Sequence, residues 1–119
     1  MGMTYIIVEI AHPGKTKIRQ EVKLLVDSGA LYSVVPREIL TKLGIRPYGK
    51  ETFLLANGEQ INREIGDAVF FYKDKRGPSK VIIGEPGDSA LMGVVTLESL
   101  GYALDPLRRE LKPLKMLLV

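Results

Sequence analysis

Apolar positions along this chain recur mostly in short alternating runs, the period-two signature of strands with one buried face. Thr4 to Ile10 alternates and is rich in β-branched residues, and His12-Pro13-Gly14 ends it as a turn. Lys17 to Val26 follows, with Val22, Leu24 and Val26 sharing one face, so the two runs predict a β-hairpin with a moderately long connection. Thr52 to Ala56 and Gln60 to Ile65 flank Asn57-Gly58, the strongest short hairpin signal in the chain. Another strand pair is predicted over Ala68 to Tyr72 and Val81 to Ile83, joined by a charged connection from Lys73 to Lys80 that contains Gly77-Pro78.

Helical spacing is confined to two places. The clearer runs over about 36–43, with Pro36 suited to the first helical position, Gly44 to the position after the last turn, and Ile39, Leu40 and Leu43 as the apolar stripe. A second, short helix is expected over about 94–100, with Thr96 to Leu100 at its heart and Gly101 closing it. The two regions echo each other. Leu24-Leu25-Val26 leads through Gly29 to a helix ending Leu43-Gly44, and Leu91-Met92-Gly93 leads to one ending Leu100-Gly101. Two such strand-loop-helix halves would give approximate internal two-fold symmetry. The pattern as a whole is all-β with two helices.

Composition narrows the picture. The 119 residues fit one domain spanning 1–119, and 45% apolar residues are ample for a core. Exceptions are expected in the first few residues and in a tail after about Lys112 that is either flexible or dimer-forming. The absence of cysteine removes any disulfide or thiol nucleophile and suits a reducing cytoplasm. Met1 to Ile10 lacks the pattern of a signal peptide, and no apolar run approaches a membrane span. A net charge of +3, from 17 basic and 14 acidic residues, is spread along the chain. Nucleic-acid binding would want a denser basic cluster.

Chemistry concentrates in Leu24-Leu25-Val26-Asp27-Ser28-Gly29-Ala30, where an apolar strand delivers a carboxylate straight into a small-residue turn. Burying an ionised Asp at a strand end is costly unless hydrogen bonds compensate. Ser28 offers a hydroxyl, and Gly29 offers an unobstructed N–H and close backbone approach. As a bare tripeptide Asp27-Ser28-Gly29 reads as an ordinary turn. The apolar run before it, Ala30 after it, and Ser33-Val34-Val35-Pro36 leading to a helix shift the weight to a functional carboxylate.

In these residues the chain resembles the retropepsin-like aspartic proteases, the single-domain enzymes of retroviruses, retrotransposons and many bacterial and archaeal genomes. Leu25-Val26-Asp27-Ser28-Gly29-Ala30 matches their signature, and Leu91-Met92-Gly93 with the helix after it matches their second motif. Phe53 to Ile61, with Ala56-Asn57-Gly58, falls where the family has a flap hairpin. The resemblance runs from about Tyr5 to Pro106. It implies a closed β-barrel of the acid-protease type and a homodimer whose two Asp27 side chains form the catalytic dyad. Ser28 would orient the dyad by hydrogen bonding across the dimer axis, Gly29 would bring backbone amides close, and Ala30, Ala56, Asn57 and Gly58 would bind a peptide or protein substrate. It implies neither metal nor other cofactor, and no nucleic-acid or membrane partner. Many viral members carry an Arg after the second-motif Gly and an acidic residue after the first motif. Val94 and Leu31 stand there instead, so apolar packing is expected to replace that salt bridge. The resemblance also leads part of Tyr102 to Leu118 to be expected in a dimer sheet, with Pro106 and Pro113 limiting strand pairing.

The residues weigh against other chemistries. His12 is the one histidine, read as a solvated turn residue, and is too little for a zinc site or a Ser-His-Asp triad. Gly14-Lys15-Thr16 mimics a P-loop ending, but Glu9 occupies the earlier glycine position. Asp88-Ser89-Ala90 lacks the glycine that would repeat the Asp27 motif. The serious rival is a non-catalytic dimeric peptide-binding or regulatory module of the same fold. A small nucleic-acid-binding barrel rests only on the basic balance.

Overall fold

Alternation places Ile6, Val8 and Ile10 of β1 (Tyr5–Ala11) and Val22, Leu24 and Val26 of β2 (Arg19–Val26) on one buried face of an antiparallel hairpin. This is the first hairpin the sequence predicts, seen in a computed structural model of the protein that describes residues 3–115. Within its turn His12 is not merely solvated: its Nδ1 accepts a hydrogen bond from the Gly14 N–H at 2.8 Å.

Next come β3 (Ser33–Pro36), α1 (Arg37–Lys42), β4 (Gly49–Leu54), β5 (Gln60–Tyr72), β6 (Lys75–Gly84) and β7 (Leu91–Met92). After α2 (Val94–Leu100), β8 (Tyr102–Asp105) and β9 (Glu110–Pro113) form a separate two-stranded sheet. The main sheet runs β1-β2-β7-β3-β6-β5, and β5 pairs back onto β1 through Glu9 and Phe71, Ile10 and Phe70, and Ala11 and Val69. The strands therefore close on themselves, with β4 extending outward along β5. Each of those six strands has a neighbour on both sides, with β7 covering only the Leu25-Val26 end of β2 and β5 only the Glu9-to-Ala11 end of β1. The expected all-β closed barrel with two helices is what forms.

One apolar cluster fills the barrel and draws on nearly every element. It includes Ile10, Leu24, Val35, Leu40, Phe70, Ile83, Met92 and Leu100, each at most 1% exposed. Burying each such side chain stabilises the fold by about 1.5–3 kcal/mol.

Several boundaries differ from the sequence reading, each for a local reason. The segments expected over 60–65 and 68–72 are one strand, β5. Gly66 inside it marks close approach rather than a break, since a Cβ there would lie 3.3 Å from the Arg46 carbonyl oxygen. The long Lys73-to-Lys80 connection shrinks to a two-residue turn at Lys73-Asp74, with Lys73 at φ 55°. Gly77-Pro78 lies within β6, where Gly77 admits the C-terminal end of α2: a Cβ would meet Ser99 Oγ at 2.5 Å. Pro36 is the N-cap rather than the first residue of α1, because it is still paired with Gly84 in the sheet. Gly44, at φ 75°, and Gly101, at φ 83°, close the two helices as expected. Pro106 and Pro113 restrict little, since Pro106 sits in the turn of the final hairpin and Pro113 pairs with Tyr102. The chain beyond Lys112 is tied down as far as Leu114, whose N–H donates to the Gly101 carbonyl at 2.8 Å. Met1, Gly2 and residues 116–119, part of the stretches expected to depart from the domain, lie outside the described residues. Among the described residues no helix is long and apolar enough to cross a membrane.

A chain of hydroxyls crosses the interior. Ser33 Oγ and Thr96 Oγ1 are 2.6 Å apart, Thr96 Oγ1 and Ser79 Oγ are 2.8 Å apart, and Ser79 Oγ donates to the Lys80 carbonyl at 3.0 Å. All three residues are buried. Proton direction is consistent from Ser33 through Thr96 and Ser79 to that carbonyl, leaving Ser33 Oγ to accept from the Gly93 N–H at 2.9 Å. Thr96→Val keeps the shape and takes one hydrogen bond from each neighbouring hydroxyl, so it should cost about 1–3 kcal/mol in denaturant unfolding. An unchanged midpoint would show that the network holds nothing together.

Candidate active site

The position of Asp27 follows from how two strands end. β2 and β7 pair in parallel, Leu25 with Leu91 and Val26 with Met92, and the Asp27 N–H continues the ladder by donating to the Met92 carbonyl at 3.0 Å. The two halves of the sequence echo thus lie side by side. Beyond the strand the chain turns at once: the Ala30 N–H donates back to the Asp27 carbonyl at 3.1 Å, and the Gly29 N–H donates to Asp27 Oδ1 at 2.9 Å. A Cβ on Gly29 would stand 3.2 Å from Oδ1, so the small residue gives that carboxylate room.

The turn is clamped from behind by the second motif. The Val94 and Val95 N–H groups, at the start of α2, donate to the Ala30 and Leu31 carbonyls at 2.9 and 3.0 Å. Gly93 packs so tightly that a Cβ would lie 2.5 Å from the Tyr32 carbonyl carbon, a separation no side chain survives. The backbone thus joins Val94 to Ala30 and Val95 to Leu31, and the Leu31 side chain is 59% exposed in the single chain.

Two concavities flank this loop. A mostly apolar groove of about 470 Å³ runs between Gly29, Ala30 and Tyr32 on one side and Phe53, Leu54 and Leu55 on the other. A hollow of about 520 Å³ on the other side is lined by Asp27 and Ser28 together with Thr4, Val26, Leu104 and Pro106. The candidate residues thus divide: Gly29 and Ala30 line the groove, while Asp27 and Ser28 line the hollow. Asp27 is half-buried and Ser28 exposed. Among the described residues Asp27 Oδ2 has no hydrogen-bond partner.

The hairpin over the groove is β4–β5, with Leu54 opposite Gln60. Its tip is a three-residue loop rather than a two-residue one. The Gly58 N–H donates to the Leu55 carbonyl at 3.0 Å, the Leu55 N–H to the Glu59 carbonyl at 2.8 Å, and Gly58 takes φ 88°. This is a tight turn followed by a glycine bulge. Asn57 Oδ1 accepts from the Glu59 N–H at 2.9 Å. Ala56, Asn57 and Gly58 are all exposed at the tip, and Phe53, Leu54 and Leu55 face the groove below them.

Pairings that no local pattern in the sequence signals hold this hairpin down. Phe53 meets Tyr32 edge to face at 6.4 Å, and Lys80, 4.7 Å from the Tyr32 ring, pairs with Glu51 at 2.9 Å. Arg63 of β5 grips Asp88 through two parallel bonds, Nε to Oδ2 at 2.7 Å and Nη2 to Oδ1 at 2.8 Å, and both residues line the groove. Arg37 joins Glu64 to Glu85 beside them. Only the failed repeat Asp88-Ser89-Ala90 drew attention to this stretch in the sequence. Tertiary pairing across 25 residues leaves no local signal.

Arg63 holds Asp88 below the ordinary carboxylate range, helped by a hydrogen bond from the Glu85 N–H and opposed by burial. Asp105 is lowered too, by hydrogen bonds from the Arg108 and Leu107 N–H groups. Groups with depressed folded pKa values add stability that is fully present above their unfolded values, about 4, and is lost as pH falls through the folded values. Stability should therefore be flat above about pH 5 and fall below about pH 4. Asp88→Asn should flatten part of that acid limb, with Asp105 retaining the rest. An acid limb identical in the variant, measured by denaturant titration across pH, would contradict the pairing.

The chain is similar to the crystal structure of a retropepsin-like aspartic protease from Rickettsia conorii, at 24% identity and a TM-score of 0.46 over 87% of this chain and 85% of that one. No protein-family model and no curated protein matches it.

Proposed function

We propose that this protein is an aspartic endopeptidase of the retropepsin-like kind, active as a homodimer. The observation that carries the reading is Asp27 itself: a half-buried carboxylate at a strand end, with one oxygen held by the Gly29 N–H and the other unpartnered among the described residues. The clamp of α2 on the loop makes that placement rigid, as catalysis by positioned groups requires. One carboxylate cannot serve as base and acid in the same step. A symmetric pairing of identical chains, the commonest oligomer, supplies the second.

In this mechanism the two Asp27 carboxylates face each other across the two-fold axis and share a proton, because like charges so close do not both ionise readily. The ionised one takes a proton from a water held between them. The protonated one donates to the scissile carbonyl oxygen as the water oxygen bonds to the carbon. The carboxyl that took the water's proton then passes it to the leaving amine as the C–N bond breaks, while the first recovers its proton from the diol hydroxyl. Ser28, exposed in the single chain, hydrogen-bonds across the axis and orients the dyad. An extended peptide lies in the groove between Ala30 and the β4–β5 hairpin, and Ala56, Asn57 and Gly58 close over it to exclude water. No metal or other cofactor takes part. A chain without cysteine suits this work in a reducing cytoplasm.

Asp27→Asn should lower peptide cleavage by at least about 10²–10⁴-fold, while sedimentation still shows a folded dimer. Full activity in that variant would refute the assignment. Wild-type protein that cleaves nothing in a diverse peptide library, and whose melting is unmoved by a transition-state analogue at mildly acid pH, would instead be the non-catalytic peptide-binding module.

A further inference from the structure

Arg63 stands out in a groove that is otherwise almost wholly apolar. Its side chain is 18% exposed, lines the groove with Leu55, Ile61, Ile82 and Leu91, and reaches from the hairpin strand to the loop before β7. A guanidinium carries five N–H donors. Nε and Nη2 give one each to Asp88, and Nη1 gives one to the Asn62 carbonyl at 2.9 Å. One N–H on Nη1 and one on Nη2 are left without a partner among the described residues.

Of the two charged residues lining the groove itself, Arg63 keeps two unused donors, whereas Asp88 already accepts three hydrogen bonds. Arg37, Arg63 and Lys50 balance Glu64, Glu85 and Asp88 around this end of the groove, so no net field selects a sign. Glu64 and Glu85 each give one oxygen to Arg37 and line a neighbouring hollow rather than the groove, while Asp88 accepts from Arg63 twice and from the Glu85 N–H. An incoming group finds its unfilled partner in Arg63. A carboxylate fits a guanidinium fork in two parallel charge-assisted bonds, a neutral amide makes a weaker contact, and an ammonium meets a like charge.

We propose that Arg63, held in place by Asp88, is a specificity-determining residue that selects an acidic side chain in a peptide otherwise apolar along the groove. The inference rests on the groove being a peptide site, as the proposed function has it, but not on catalysis. Asp88 is the positioning residue: it fixes the guanidinium plane and leaves the remaining N–H pair to the ligand.

Binding to the Asp27→Asn protein tests this without turnover. A randomised decapeptide library passed over that immobilised protein should enrich peptides with Asp or Glu at one fixed position among apolar residues. Synthetic pairs differing only as Glu or Gln at that position should bind with about a tenfold preference for Glu. Adding Arg63→Gln should bring the ratio close to one, and Arg63→Lys, which keeps the charge without the fork, should leave only a few-fold preference. Equal affinity for the Glu and Gln peptides overturns the proposal, as does a library in which nothing is enriched. A ratio unchanged in either Arg63 variant also overturns it, leaving the Arg63–Asp88 pair as a strut. Where Arg63→Gln fails to fold, the wild-type ratio and Arg63→Lys decide. Cleavage of the same peptides by the unmutated protein is scored separately. A Glu preference in binding without any cleavage removes the enzyme and keeps the subsite, whereas cleavage indifferent to Glu does the reverse.

Discussion

The parallel pairing of β2 with β7 is the contact on which the rest of the molecule turns. It brings the end of one apolar strand, carrying Asp27, beside the end of another, carrying Gly93, and the ladder runs on through the hydrogen bond from Asp27 N–H to the Met92 carbonyl. Parallel strands need a long crossover between them. Here the crossover is most of the barrel: β3, α1, β4, β5 and β6 all intervene in sequence. The folded barrel is what sets a solitary carboxylate in a defined place, and loss of barrel closure would release it. The buried hydroxyl chain from Ser33 to Ser79 works at the same junction, because its first oxygen also accepts the Gly93 N–H. Fully partnered polar groups in a low-dielectric interior fix geometry in a way that apolar packing alone does not.

Around that rigid centre, stability is graded. The barrel core is closed and nearly inaccessible, while the β4–β5 tip carries exposed Ala56, Asn57 and Gly58, with Leu54 72% exposed. Few buried contacts and an exposed backbone are what let a segment open at low free-energy cost. The base of the same hairpin is held by side-chain pairs, Phe53 with Tyr32, Glu51 with Lys80 and Arg63 with Asp88. Individual exposed ion pairs contribute little. Half-buried and bidentate ones, as between Arg63 and Asp88, define an orientation. A firm base beneath an exposed tip suits the covering role proposed for this hairpin.

Much of this was legible in the sequence, wherever the signal is local. The alternation of Ile6, Val8 and Ile10 against Val22, Leu24 and Val26 gives the first hairpin, Gly44 and Gly101 end their helices in the left-handed conformation glycine favours, and Asn57-Gly58 marks the hairpin tip. The Asp27 loop was recognisable from its local run, an apolar strand leading into Asp27-Ser28-Gly29-Ala30. The failures share one cause. Gly66 and Gly77 read as breaks, yet both sit inside strands because another segment presses against them, Arg46 in one case and Ser99 in the other. Proximity of that kind is a property of the tertiary fold and leaves no mark in neighbouring residues. For the same reason Ser33, Thr96, Ser79, Arg63 and Asp88 were invisible as partners: each is an ordinary polar residue until the barrel brings its counterpart to it.

In the proposed homodimer two chains share one reaction centre. Isothermal titration with a peptide carrying a secondary alcohol in place of the scissile amide, a mimic of the tetrahedral intermediate, counts such centres directly. A shared centre binds one inhibitor per two chains, and Asp27→Asn should abolish that stoichiometry. One inhibitor per chain, or binding indifferent to Asp27, would contradict it.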